Sequence, residues 1–428
     1  MNPILNKKAS IGSYLVGAYL FSVPAFSYSE TMNLTFIPQI IAACVVMLAI
    51  FDIIKTGKSN LSFDIKLYGF FVLWTAIAFI LADDWTYGES LLTLIKVGFI
   101  VLAVSQLIKN EKDFLMAIMI FNFSIVLVYY FNHDLISNLQ KANKVTGDDR
   151  FAGTLTNSNA AAMYALSILW SGITLLFSKG TKIFVKILTV VTVAVALWMI
   201  VYSGSKKGLI GVVLFAVFTG WLFIQENKHS FWKTLVASVV ALALISVTLY
   251  YVYNSPFFDR MQNMVNGDAH STAHRIYLIN AAIDTWLTNG KTFLAGVGHE
   301  NFKDMNLLGK YSHSTITETL VASGIIGFLL YFGGLFFLVR KFNGLRNLTL
   351  GSRHFSTVFF CLILILLFLF FNTAAVMYDS RDFWPLMGVM SSYGLYISRL
   401  DETNKKIAIA YLNSTNEPET ENENPLIY

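Results

Sequence analysis

Charge is what this sequence has least of. Across 428 residues only 13% are Asp, Glu, Lys or Arg, about half the ~25% share of an ordinary soluble domain. Cysteine is nearly absent, and Cys44 and Cys361 both fall inside apolar runs, so neither a disulfide framework nor a cysteine metal site can be argued from them. There are 7 prolines, and little stands in the way of long helices. No P-loop, fixed-period repeat or low-complexity tract is present. No polar or Gly/Pro-rich linker divides the chain before the last two dozen residues, which excludes the usual multi-domain soluble organisation for this length.

What is present is apolar. Hydrophobic residues make up 55% of the chain, with 36 Phe and 20 Tyr, and the mean hydropathy is +0.59. This composition predicts an all-α, polytopic transmembrane helical bundle. A helix crossing the hydrocarbon layer needs about 20 apolar residues. Applied along the chain, that rule predicts about twelve spans, near 11–29, 35–54, 66–82, 90–108, 114–131, 159–177, 183–202, 208–224, 231–252, 316–339, 355–378 and 382–400. The expected organisation is spans one to nine over 1–252, a larger external loop over 253–315, spans ten to twelve over 316–400, and a disordered cytoplasmic tail over 401–428. Lys7 and Lys8 precede the first run, but no small-residue cleavage site follows, so that run reads as a first span rather than a removed signal peptide.

Charge sets the orientation. Lys55, Lys58 and Lys66, then Lys109 and Lys112, then Lys179, Lys182 and Lys186, then Arg340, Lys341, Arg346 and Arg353 fall in loops on the same side as the N-terminus. The opposite loops after spans one and three carry only Glu30 and then Asp83, Asp84 and Glu89. By the positive-inside rule both termini are expected in the cytoplasm.

Positive charge on the outer side opposes that rule and calls for a reason. It gathers in Lys141, Lys144 and Arg150; in Lys206 and Lys207; in Arg260, Arg275, Lys291, Lys303 and Lys310; and in Arg381. Ordinary loop composition accounts for any one of these. The pair Lys206–Lys207 is harder to dismiss, because it sits in the tight turn Ser203–Lys207 between two spans. Gly204 and Gly208 allow close backbone approach there, and Ser205 adds a donor. Such a turn at a helix N-terminus suits an anion, most simply a lipid pyrophosphate. In the large loop, Ile276, Ile279, Ile283 and Trp286 share one side of a predicted amphipathic helix over 274–287. That helix covers a site or packs the loop onto the bundle. Thr315-Ile316-Thr317-Glu318 has capping-box form, so a helix is expected to start near Ile316, with His313 just outside it. A histidine there can take a proton from a hydroxyl near neutral pH; a surface histidine of no special role fits the same spacing. Glu318 reads as a cap rather than a catalytic acid.

Four stretches in order resemble the bacterial O-antigen ligase and polymerase family. They are Arg150 through Ala160, with Gly153, Asn157 and Asn159; Tyr202 through Gly208; His274-Arg275 with the following helix and Gly296-Val297-Gly298-His299-Glu300-Asn301-Phe302; and Ser312-His313-Ser314 followed by Gly324-Ile325-Ile326-Gly327. Two departures stand out: this chain has Lys206 and Lys207 where the family turn has arginine, and Ser314 where the family has asparagine after the histidine. The resemblance implies a metal-independent, inverting glycosyltransferase of the bacterial inner membrane that needs no cofactor. It would take an undecaprenyl-pyrophosphate-linked glycan as donor, and a second glycan (polymerase) or a lipid A core (ligase) as acceptor. The implied setting is membrane lipid, with a chain-length regulator and a flippase as companions and no nucleic acid. Carried over residue by residue, His313 would be the base, Arg150, Lys206, Lys207 and Arg275 would hold the pyrophosphate, and Asn157, Asn159, Ser205, Glu318 and Arg381 would support them. The turn around Lys206–Lys207 and the compact Gly296–Phe302 stretch favour the polymerase.

Two other classes stay open on the residues alone. A metal-dependent glycosyltransferase would use an outer-loop carboxylate, for which Glu30 and the Asp83–Asp84 pair are the candidates. A flippase for the same lipid would place ionisable groups near the midplane, where only Lys96 lies.

Overall fold

The computed structural model describes residues 8–26, 34, 36–82, 84–146, 158–203, 205–227, 253, 270–373, 375–378 and 380–415; side chains of 131–146, 158–159, 206, 222–227, 270–272 and 407–415 are not described. The described residues form helices and no strand. In chain order these are α1 (Ile11–Phe26), α2 (Phe36–Thr56), α3 (Phe63–Ile80), α4 (Gly88–Leu107), α5 (Glu111–Thr146), α6 (Ser158–Phe177), α7 (Ile183–Tyr202), α8 (Lys206–Asn227), α9 (His270–Trp286), α10 (Gly290–Ala295), a 3-10 turn at Asn301–Lys303, α11 (Thr315–Leu348), α12 (Phe355–Asn372) and α13 (Phe383–Thr415).

Eight helices among the described residues are long and apolar enough to cross a membrane; α1 and the stretch Lys207–Trp221 of α8 are apolar but shorter. Eleven of the twelve expected spans coincide with helices, and the ninth, 231–252, lies outside the described residues. Four boundaries differ from expectation by more than five residues, one of them the end of α11, at Leu348 rather than near 339. Helix α5 continues to Thr146 through a stretch expected as loop, and α12 stops at Asn372 rather than near 378. Helix α13 runs on to Thr415, so the first part of the expected disordered tail is helical. Polar sequence beyond a span does not stop a helix that carries no breaker.

Apolar side chains face outward as well as inward. Met47, Ile50 and Phe51 of α2 and Ile183, Phe184 and Ile187 of α7 are exposed, as expected where the surrounding solvent is hydrocarbon. Inside, α1 packs along α5, α3 along α11, α6 along α7, and α13 and α2 against α4. Small residues permit these approaches: a methyl group at Gly208 would sit 2.8 Å from the Ala162 Cβ, and one at Gly211 would sit 2.6 Å from the Leu166 side chain, so α8 lies close on α6.

At one end of the bundle, α9, α10 and the turns around 296–314 pack over the spans. The apolar side of α9 differs from the expected one. Leu278 and Ala282 are buried against Val297, Phe302 and Val321, whereas Ile276 is 55% exposed. Spacing alone does not say which of several apolar residues on a helix meets the core. Helix α10 starts with a reciprocal cap, Asn289 Oδ1 accepting from the Thr292 N–H at 2.9 Å and Thr292 Oγ1 accepting from the Asn289 N–H at 3.1 Å. At the opposite end, Asp64 of α3 pairs with Lys341 of α11 at 2.5 Å and accepts the Ser391 hydroxyl of α13, tying three helices together.

Candidate functional site

The site is built on a broken helix. Within α11, Gly324 has φ 66° and ψ −171°, a conformation that Gly adopts without steric cost. The break releases backbone carbonyls from the helical ladder, and each of three finds a donor from elsewhere. Val321 O accepts from the Val297 N–H at 2.8 Å, Ala322 O from the Gly298 N–H at 3.1 Å, and Ser323 O from the Trp74 indole at 2.8 Å. The backbones touch so closely that a methyl on Gly324 would lie 2.2 Å from Leu294 O, and one on Gly296 (φ 77°) would lie 2.5 Å from the Ala322 carbonyl carbon. The Gly-Val-Gly and Gly-Ile-Ile-Gly stretches therefore form a single clamp.

His299, next to that clamp, is fully buried. Its ring lies 3.0 Å from Ser90 Oγ through Nε2 and 3.3 Å from the Tyr378 hydroxyl through Nδ1. Burial pushes its pKa down to about 4, so the neutral ring is a structural cross-brace. Asn301 donates to Asp84 O at 2.7 Å and to Val297 O at 2.9 Å, and the Tyr87 hydroxyl donates to Asp304 Oδ1 at 2.9 Å. These bonds fasten the segment to the turn between α3 and α4.

His313 sits in a different setting. Its φ is +61°, uncommon for a residue with a side chain, and the bonds on either side over-determine it. Ser312 N–H donates to Glu318 Oε2 at 2.7 Å, Thr317 Oγ1 donates to Ser312 Oγ at 2.9 Å, Thr315 N–H donates to Ala375 O at 3.0 Å, and Met377 N–H donates to Thr315 Oγ1 at 3.0 Å. The imidazole packs against Tyr311 with ring centroids 4.5 Å apart. Its pKa is held below the ordinary histidine value, first by partial burial and then by the charges of Arg275, Lys310 and Lys207. Arg275 is also the neighbouring charge for Lys207. Three cations from α9, the 303–314 turn and α8 thus share one electrostatic neighbourhood with one half-buried, neutral histidine.

Local structure differs from expectation at two points here. Helix α8 begins at Lys206, so Lys206 and Lys207 lie in its first turn, not in a loop. Ser205 accepts there from the Gly208 N–H at 3.3 Å, and its own N–H donates to Ser203 Oγ at 3.2 Å. Two cations in the first turn oppose the helix dipole, which favours an anion at that end. Helix α11 begins at Thr315 after Ser314, with no side-chain cap at Ser314. Glu318 does cap, but beyond the helix, on the Ser312 N–H; its Oε1 is buried with no hydrogen-bond partner among the described residues.

Among the other expected site residues, Arg150 and Asn157 lie outside the described residues, as do Glu30 and Asp83, while Lys206 and Asn159 have backbone but no described side chain. Arg381 lines a separate cavity between α1, α2 and α4 and is not among the charges acting on His313. Asp84 is engaged in its own turn, where Oδ1 accepts from the Thr86 N–H at 2.9 Å and the Thr86 hydroxyl at 2.6 Å. Among the described residues no three His, Cys, Asp or Glu side chains gather as metal ligands would. Sequence reasoning counted Lys310 among the outer cations but gave it no place beside His313, although it stands three residues before that histidine.

Comparison with known proteins bears on the same segment. Residues 191–332 match the family described as O-antigen ligase; the match takes in α8, α9, the Gly296–Phe302 clamp, His313 and Gly324, and leaves the Arg150–Ala160 stretch outside. No curated protein matches the chain. Residues 191–332, which hold the broken helix, the cations and the histidine, are thus similar to the O-antigen ligase family.

Proposed function

We propose that the chain is a glycosyltransferase that moves a glycan from an undecaprenyl-pyrophosphate carrier to an acceptor hydroxyl at the outer face of the bacterial cytoplasmic membrane. The observation that carries this reading is the convergence of Lys207, Arg275 and Lys310 on His313. A neutral imidazole can accept a proton, and clustered cations favour a diphosphate.

The balanced step uses these residues directly. The acceptor hydroxyl gives its proton to His313 as its oxygen bonds to the anomeric carbon. The bond from that carbon to the carrier diphosphate breaks, and its electron pair leaves with the diphosphate. Lys207, Arg275 and Lys310 stabilise the negative charge that collects there. Attack opposite to the leaving group inverts the anomeric centre. Burial first and then the cations hold the free imidazole's pKa down, so neutralisation of the cations by the bound diphosphate removes the second cause and makes His313 a better base once donor is present. The side chain of Lys206 and the residue Arg150 are proposed to complete the diphosphate site.

The acceptor is proposed to be a second lipid-linked glycan, which makes the chain a polymerase. The ligase reading shares the donor site and is equally consistent with the family match. Purified protein supplied with its lipid-linked repeat unit, without nucleotide or metal, is expected to build longer glycans. No growth from that donor in the presence of a lipid A core, with transfer to the core instead, would establish the ligase. In cells, loss of a polymerase leaves one repeat unit on the core, and loss of a ligase leaves the core bare.

A further inference from the structure

The cavity between α1, α2 and α4 lies apart from the His313 site. Its volume is about 580 Å³, within the ~300–1,000 Å³ range of small-molecule sites. Its walls are Tyr19 and Val23 of α1, Ala43 and Met47 of α2, and Phe99 of α4, with Lys96 of α4 and Arg381 as the cationic groups. Lys96 stands two turns into α4, from the end that Asn301 and Asp304 fasten to the α9 side of the bundle. Arg381 lies in the turn just before α13. Both cations therefore belong to the half of the bundle nearer α9.

The cavity opens sideways. Ala43, Met47, Lys96 and Phe99 are all surface-exposed, and they lie on helices long and apolar enough to cross a membrane. A molecule entering between α2 and α4 thus comes from the lipid layer. A lysine within a transmembrane helix is costly unless it meets an anion, a polar partner or water. Among the described residues neither Lys96 nor Arg381 forms an ion pair with a carboxylate; Asp382, next to Arg381 in the chain, feels its charge but makes no ion pair with it. An apolar chamber open to lipid, with two cations and no carboxylate ion-paired to either, calls for one ligand chemistry: a phosphate head on a hydrocarbon chain.

We propose that this cavity binds an anionic lipid, its phosphate held between Lys96 and Arg381 and its chain lying along Val23, Met47 and Phe99. The ligand is either a diacyl phospholipid of the surrounding leaflet or a polyprenyl phosphate. The assignment stands whether or not His313 is the catalytic base, since it uses none of the residues around that histidine.

Native mass spectrometry of the full-length protein in phosphatidylcholine nanodiscs tests it, with phosphatidylglycerol and undecaprenyl phosphate titrated separately. At least one of the two is expected to bind, and added phosphatidylcholine is not. Lys96→Gln with Arg381→Gln is expected to weaken that binding about a hundredfold, one tenfold loss for each charge-assisted contact. Ala43→Trp, on an exposed wall position, is expected to block the chain while leaving both charges in place. A protein with Lys207→Ala and Arg275→Ala is expected to bind as the parent does, which separates this cavity from the proposed donor site. The lipid that binds names the source. Binding of neither lipid, equal binding of phosphatidylcholine, or unchanged binding by the Lys96→Gln/Arg381→Gln protein would overturn the proposal.

Discussion

Two histidines fourteen residues apart show how one segment supports two kinds of chemistry. His299 is fully buried, with a polar neighbour at each ring nitrogen, and its pKa is pushed down to about 4 by burial. His313 is half-buried, is held at positive φ, and is depressed by burial and then by three nearby cations. A ring committed to Ser90 and Tyr378 has no nitrogen left for a substrate. A ring fixed by its backbone and acted on by three cations suits a neighbouring anion, the role proposed for this site. The left-handed backbone is the sharper sign, because it costs of order 1–3 kcal/mol and persists only where the surroundings enforce it.

The test with the largest expected effect separates the two rings directly. His313→Ala is expected to lower glycan transfer by about 10²–10⁴-fold, the usual contribution of a positioned base, with a melting temperature close to that of the parent. His299→Ala is expected to do the reverse at first, lowering the melting temperature through the loss of two buried hydrogen-bond partners and lowering activity only as folded protein is lost. Thermal melting and transfer assays on both variants give the comparison, and it fails if the two variants lose activity and stability in the same proportion.

The clamp that supports both rings gives the next effect. Gly324→Ala brings a methyl to 2.2 Å from Leu294 O and forces a side chain onto φ 66°. Neither backbone can yield while the 296–298 and 321–323 bonds hold, so a loss of about 3 kcal/mol or more is expected. Gly344→Ala, in open space on the same helix, serves as the control and is expected to be neutral or stabilising. Urea or thermal unfolding of the two proteins in one detergent checks the contrast.

Much of this arrangement was legible before the fold was known. Eleven of the apolar runs coincide with described helices, and eight of the described helices are long and apolar enough to cross a membrane, because length and hydropathy can be read from sequence alone. Lys207, Arg275 and His313 could be singled out together because positive charge in loops expected on the outer side runs against the positive-inside pattern. Other features were hidden for physical reasons. The glycines of Gly-Val-Gly and Gly-Ile-Ile-Gly mark flexibility in sequence, but not that Gly296 lies against the Val321–Ser323 backbone and Gly324 against Leu294 and Ala295. Leu278, rather than Ile276, anchors α9 because tertiary packing chooses among apolar faces. Arg381 reads in sequence as one more outer cation, and only the packing of the helices places it on the same cavity as Lys96.

Acidification probes the buried ring without any substitution. The folded-state pKa of His299 is about 4, against an unfolded value near 6.5. Below 6.5 the unfolded chain binds a proton that the folded chain refuses, so stability from this group is fully present above about pH 6.5 and declines as pH falls toward 4. The loss approaches about 3 kcal/mol at the acid end. Melting temperatures between pH 7.5 and 4.5 should fall, and fall less steeply in His299→Gln, which has no such proton to take up. A variant with the full acid sensitivity of the parent would move the effect to other groups.

The smallest effect concerns how His313 is held. Glu318 accepts the Ser312 N–H through Oε2, and Thr315 is bonded to Ala375 and Met377 through both its amide and its hydroxyl. Thr315→Val keeps the shape and the amide bond but removes the hydroxyl, at an expected cost of about 2 kcal/mol for the bond donated to Ala375 O and the bond accepted from the Met377 N–H. If the backbone around His313 serves only the fold, that cost is all that follows. If it serves to aim the ring, the transfer rate should fall several-fold more than the lost stability explains, through kcat rather than KM, since the diphosphate contacts are untouched. Serine at position 315 restores the hydroxyl without the methyl, so recovery of kcat in Thr315→Ser would tie the loss to the hydrogen bond, and a kcat that stays low would assign it to packing instead.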